Sequence, residues 1–109
     1  MKIKTSELSS VALDWAVASC ESLFFRRLEI ENYHNGYSPS TNWAQGGPII
    51  EREAIELSPQ NFGEFWVALY PQWQTSHRQE GQTPLIAAML CYVTSKLGEY
   101  VDIPEELLK

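Results

Sequence analysis

Between residues 9 and 21 apolar side chains recur at helical spacing. At 100° per residue, Ala12, Leu13, Ala16, Val17 and Cys20 fall within one sector of about 140°. Ser9 or Ser10 can cap the start, so the pattern predicts a first helix ending near Glu21. Asp14 is placed on the side away from the apolar sector, close to the helix N-terminus, where its charge suits the dipole. Trp15 lies outside the apolar sector. It reads as a rim residue packed against a strand, with a partner or ligand contact as the alternative.

The period then changes. Over residues 23–31, Leu28 and Ile30 alternate with Arg27, Glu29 and Glu31, behind the β-favouring Phe24 and Phe25, which predicts a half-buried strand. Residues 32–48 have no apolar period and carry turn chemistry throughout: Asn35-Gly36, Ser38-Pro39 and Gly46-Gly47-Pro48. Seventeen such residues predict a long loop of the kind that carries function. Tyr33, Tyr37 and Trp43 argue that it is ordered, because three large rings bring nothing to a disordered segment.

Ile49 and Ile50 are expected to open a short strand that Ile55 and Leu57 continue, and Ser58-Pro59 with Asn61 to form a turn. Residues 62–70 fit strand or helix; the alternation of Phe65, Val67 and Leu69 favours a strand. Residues 72–82 read as a polar, mobile connection. Thr83 then caps the clearest helix, with Pro84 in its first position. Its core face is Leu85, Ile86, Met89, Leu90, Val93 and Leu97. Its opposite face is small (Ala87, Ala88, Cys91, Thr94, Ser95), suited to close approach by the first helix or a second subunit. Gly98 suits the C-terminal cap. Tyr100, Val101 and Ile103 predict a final extended segment before the acidic Pro104-Glu105-Glu106.

This order predicts an α+β fold: a small antiparallel sheet covered on one face by two helices, with one long functional loop. A chain of 109 residues fits a single domain, 1–109.

Charge narrows the function. Eight Lys+Arg against fourteen Asp+Glu give a net charge of −6, which argues against a duplex DNA binder. The longest apolar run, residues 85–93, is half of the roughly 18 residues that span a bilayer, and Glu7 interrupts any leader-like N-terminus. No membrane association is expected, and the predicted location is a cytoplasm. Cys20 and Cys91 fall in apolar helical patterns and read as reduced core thiols. With His34 and His77 they would form a metal set separated by 14, 43 and 14 residues, without the short paired spacing of zinc sites. No metal or cofactor is predicted.

Catalytic signatures such as Gly-x-Ser-x-Gly, Cys-x-x-Cys, His-Glu-x-x-His and the phosphate-binding loop are absent from the sequence. Glu51 and Glu53, at i and i+2 of the expected strand, share a face and are the acid–base candidates; a solvated pair around Arg52 is the plainer reading. The block from Tyr37 to Arg52 is the most informative. It combines hydroxyls (Ser38, Ser40, Thr41), amides (Asn42, Gln45), aromatic faces (Tyr37, Trp43), an approachable backbone (Gly46, Gly47) and a guanidinium (Arg52). These are the materials of a site for a polar, ring-containing molecule: a base stacks on an aromatic ring, and phosphates meet hydroxyls, glycine N–H groups and arginine. A surface loop pinned by its own aromatics is the alternative.

The same block, Tyr37-Ser38-Pro39-Ser40-Thr41-Asn42-Trp43-Ala44-Gln45-Gly46-Gly47-Pro48-Ile49-Ile50-Glu51-Arg52-Glu53, resembles the signature of the NinX family of lambdoid phages and prophages. So do Leu13-Asp14-Trp15-Ala16-Val17-Ala18 near the start and Thr83-Pro84-Leu85-Ile86-Ala87-Ala88-Met89 through Gly98 and Pro104 near the end. The likeness spans nearly the whole chain and is loose over residues 60–82. It implies a phage product acting in a bacterial cytoplasm, and no particular activity. The expectation is a non-catalytic binder of a nucleotide-like small molecule, such as a sequestered host signal. The alternative is an interaction module that inhibits or redirects a host bacterial enzyme, with Trp15, Trp43, Trp66 and Trp73 as anchors. In either case the small helix face makes a homo-oligomer an expectation.

Overall fold

The structure, a computed structural model, describes residues 1–21, 37–71 and 77–108. The strand expected at 23–31, Tyr33, His34 and the first part of the expected loop lie outside the described residues, as do 72–76 and with them Trp73.

Strand β1 (Lys2–Lys4) leads through a 3-10 turn into helix α1 (Ser10–Glu21). Helix α2 (Trp43–Glu53) is followed by strands β2 (Glu56–Gln60), β3 (Phe65–Leu69) and β4 (Gln79–Gly81). Helix α3 (Pro84–Leu97) and strand β5 (Tyr100–Asp102) complete the order. The α+β class stands. Among the described residues the strands form two antiparallel sheets: β1 with β5, Ile3 opposite Val101, and a sheet ordered β2-β3-β4.

Helix α3 is the centre of the molecule. Thr83 Oγ1 accepts from Ile86 N at 3.1 Å, as its capping position predicts. Every residue from Ala87 to Thr94 is buried, so the small face is covered as fully as the large one. The small face is therefore used inside the fold. Gly81 on β4 shows how closely α3 is approached: a Cβ there would stand 2.5 Å from the Ala87 backbone nitrogen. Gly98 ends the helix at φ 89°. Its carbonyl accepts from Thr5 Oγ1 at 2.6 Å, which ties the start of the chain to the end of α3. Cys20 and Cys91 are free and buried, and burial pushes both thiols up to about 12.

The largest correction concerns residues 43–53. The expected loop continuing into a strand at Ile49-Ile50 is helix α2, despite Gly46, Gly47 and Pro48 at its centre. Relative to alanine, two glycines and a proline cost a helix roughly 5 kcal/mol. Three features offset that. Asn42 Oδ1 caps the start by accepting from Ala44 N at 2.9 Å. Ile49 is buried, 1% exposed. Gly46 lies so close to the Pro39 carbonyl and Leu85 that a Cβ would meet them at 2.4 and 2.6 Å. Ala54 then stops the helix in the left-handed region at φ 56°.

Two smaller expectations also change. Ser58 and Pro59 lie within β2, not in a turn; β2 is an edge strand, where a proline without an N–H is tolerated. The turn comes later, at Asn61–Gly63. Residues 79–81 are β4, and not part of a mobile connection. Residues 65–69 are the strand their alternation favours.

Candidate functional site

Helix α2 has an inner and an outer face. On the inner side, Arg52 reaches across to α1 and α3. Its Nη1 and Nη2 donate to Oε1 and Oε2 of Glu21 at 3.2 and 2.8 Å, a two-pronged pair. Nη2 also donates to the Tyr92 hydroxyl at 3.1 Å, and Nε to Glu53 Oε2 at 3.1 Å. The Tyr92 hydroxyl donates to Glu21 Oε2 at 2.5 Å. Glu53 Oε1 takes the Tyr70 hydroxyl at 3.1 Å and faces Lys96 Nζ at 3.3 Å. Ser95 Oγ donates to the Tyr70 hydroxyl at 3.2 Å.

Two carboxylates thus meet two cations, with tyrosine hydroxyls between them. Hydrogen bonds to Glu21 push the Arg52 guanidinium still higher in pKa. Burial works to raise Glu53, but Arg52, Lys96 and Tyr70 together hold it below its ordinary value. Burial pushes up the Tyr92 and Tyr70 phenols, so both remain donors at neutral pH.

The Ser38–Thr41 turn precedes α2, with Thr41 N and Asn42 N bonding to the Ser38 carbonyl at 3.0 and 2.9 Å. Gln45 Oε1 accepts from Ser38 N at 2.6 Å. Thr41 Oγ1 approaches the Ser38 carbonyl at 3.5 Å. Ser40 is buried, and its N–H donates to Asp14 Oδ1 at 2.9 Å. Asp14 therefore does not point away into solvent; it is buried and holds the turn onto α1. Burial raises its carboxyl above the ordinary value, against the Ser40 hydrogen bonds that lower it. Tyr37 is half-buried against the core, and burial, aided by Glu21 and Asp14, pushes its phenol up.

The ten residues singled out in the sequence consequently divide. Ser38, Ser40, Thr41, Asn42, Gln45 and Gly46 build the turn, the cap and the close packing of α2, and Tyr37 packs beside them. Trp43 and Gly47 lie on the outer face, and Arg52, whose guanidinium turns inward, only borders it. There Gly47, Pro48, Glu51 and Arg52 line an open depression of about 610 Å³. Trp43 stands one turn away, 55% exposed. A Cβ on Gly47 would meet only the edge of the Trp43 ring, at 3.9 Å. Packing requires a glycine at 46 and not at 47. Glu51 and Glu53, expected on one face of a strand, diverge on the helix: Glu51 is exposed and Glu53 joins the network.

Sequence reasoning passed over Glu21, Tyr70, Tyr92 and Lys96. One signal was present. Tyr92, Ser95 and Lys96, spaced i, i+3, i+4, form a polar row on a largely apolar helix.

The sequence profile described as "Bacteriophage P22, NinX" matches residues 4–96. The chain belongs to the NinX family. The match takes in α1, the turn, α2 and nearly all of α3, so both the network and the outer face of α2 lie within the NinX region. It makes the protein a phage accessory protein. No curated protein matches the chain significantly. Among the described residues no helix is long and apolar enough to cross a membrane, and no group of His, Cys, Asp or Glu is arranged to hold a metal ion.

Proposed function

We propose that this NinX-family protein is a non-catalytic interaction module, and that the outer face of α2 docks a basic segment of a host bacterial protein. One observation carries the reading: Trp43 stands exposed beside a helix surface that Gly47 keeps bare without any packing need. Glycine in mid-helix costs about 1 kcal/mol relative to alanine, and a bare backbone shelf beside an aromatic ring is a place for another chain to approach. Exposed Glu51 and the net charge of −6 select a cationic partner, whose Lys or Arg can lie over the indole and face the carboxylate.

The nucleotide-like ligand is the second reading, favoured by the same indole as a stacking surface. Two features weigh against it. Arg52, the intended phosphate ligand, points its bonds inward to Glu21, Glu53 and Tyr92, and Glu51 beside it repels an anion.

The test is capture from host-type bacterial lysate with the wild-type protein, Trp43→Ala and Glu51→Lys, at low and high salt. A protein held by the wild type, lost by both variants and released by salt supports the reading. Equal recovery by Trp43→Ala overturns it. A thermal shift with nucleotides that disappears in Trp43→Ala restores the small-molecule reading.

A further inference from the structure

The bare face of α2 and the buried network are two sides of one helix, and its sequence does not hold that helix by itself. Gly46, Gly47 and Pro48 occupy the centre of eleven residues, and Pro48 has no N–H for the Ala44 carbonyl. Within α2 only Gly46 and Ile49 are buried, whereas α3 is buried continuously from Ala87 to Thr94. The helix ends sharply at Ala54 in the left-handed region. Its C-terminal half is tied to the body by Ile49 in the core and by Arg52, paired to Glu21 on α1 and bonded to Tyr92 on α3, with Glu53 held by Tyr70 and Lys96. Arg52 is 35% exposed, so the tie sits at the protein surface.

We infer that α2 opens and closes as a unit with the Arg52–Glu21 pair as its latch. Its outer face is then complete only in the latched state. The significance of that face rests on the function proposed above; the opening itself does not. Unlatching releases the guanidinium, frees the Gly46-Gly47-Pro48 segment to leave helical geometry, and separates Trp43 from Glu51. α3 and the sheets keep their own burial and stay folded. A partner that binds the closed face shifts the population toward the latched state.

Hydrogen exchange read by mass spectrometry on the full chain tests this without any partner. Three proteins are compared: wild type, Glu21→Gln and Gly47→Ala. In the wild type, amides of residues 49–53 should exchange at least tenfold faster than those of residues 89–93. Glu21→Gln should speed the α2 amides by about a further thirtyfold, with α3 speeded by no more than that, so that α2 remains the faster. Gly47→Ala has room for its methyl and adds helix propensity, so it should slow them about fivefold. Equal protection of α2 and α3 in every variant would mean that α2 opens only on global unfolding and would overturn the latch, as would α2 exchange unmoved by Glu21→Gln. If Glu21→Gln does not fold, wild type and Gly47→Ala decide: α2 amides slowed by Gly47→Ala yet still at least tenfold faster than those of α3 support the latch, and equal protection of the two helices or no slowing of α2 overturns it. Failure of lysate capture with α2-selective exchange would remove the proposed partner and leave the latch standing.

Discussion

The hydroxyl of Tyr92 on α3 donates to Glu21 Oε2 on α1 at 2.5 Å, joining residues 71 positions apart. Both are buried, and Arg52 completes the triangle by donating to each. The carboxylate needs the guanidinium because a buried charge without a partner is costly. The tyrosine fixes the geometry: its ring is fully buried, and Arg52 and Lys96 lie 5.7 and 5.8 Å from its centroid. Three helices thus meet at one ion pair, and the weakest of them intrinsically is the one that carries the exposed tryptophan.

Removing one member of that pair should cost more than removing both. Arg52→Gln leaves Glu21 charged and buried, and should lower stability by about 3 kcal/mol. Glu21→Gln alone should cost about 2 kcal/mol, since Arg52 is partly solvated and retains Glu53. The double variant should cost clearly less than the sum. Urea unfolding of the four proteins measures this. A strictly additive result would mean that the two residues do not act together.

Much of the frame was legible in the sequence. Thr83-Pro84 opens α3 where the capping pattern places it, α1 starts at Ser10, one of its two predicted caps, and β3 follows the alternation of Phe65, Val67 and Leu69. These elements agree with their local propensities. α2 does not, because Gly46-Gly47-Pro48 is read locally as a turn, while tertiary contacts (Gly46 against Pro39 and Leu85, Arg52 against Glu21) decide the outcome. The candidate site was misread locally for the same reason. In the block singled out, the hydroxyls and amides serve as the cap and turn of an unrecognised helix. Asp14 was misplaced because a helical wheel cannot foresee a backbone N–H arriving from Ser40.

Asp14 gives an opposed pair of outcomes. Asp14→Ala leaves the buried Ser40 N–H without its acceptor and should cost about 1–3 kcal/mol. Asp14→Asn keeps an acceptor oxygen and removes a buried charge. In the folded protein the Asp14 carboxyl titrates above its ordinary value of 3.8. Its protonation therefore supports the fold below that value, and this contribution is lost as pH rises through the folded value. The stability of Asp14→Asn relative to wild type should accordingly improve from pH 3 to pH 7. Glu53, held below its ordinary 4.5, behaves in the opposite sense: its contribution is present above 4.5 and lost as pH falls through its lower folded value. Thermal melts across pH 3–7 separate the two, and a pH-independent difference for Asp14→Asn would contradict the assignment.

Phe62 sits in the β2–β3 connection at φ 59°, with its side chain fully exposed. A bulky residue there carries left-handed strain of about 1–2 kcal/mol, and no packing repays it. Phe62→Gly should remove the strain and return part of the gain as unfolded-chain entropy. The net should be about 0.5–1 kcal/mol more stable, read as a rise of a few degrees in Tm. A fall in Tm would show that the ring stabilises the connection.

The adjacent glycines of α2 should respond with opposite signs. Gly46→Ala drives a methyl against the Pro39 carbonyl and Leu85 Cδ2, and the backbone oxygen cannot move aside as a flexible side chain would. A loss of about 1–3 kcal/mol is expected, with α2 displaced from the turn that caps it. Gly47→Ala places its methyl in open space beside the Trp43 ring and should gain up to about 1 kcal/mol from helix propensity. If the bare shelf receives a partner chain, the same methyl fills it, so Gly47→Ala should be more stable than wild type yet weaker in capture. Melting curves and capture from lysate, run on the same three preparations, give both readouts. A Gly47→Ala protein that is more stable and captures as well as wild type would leave the glycine without a role in recognition and move the docking surface off α2.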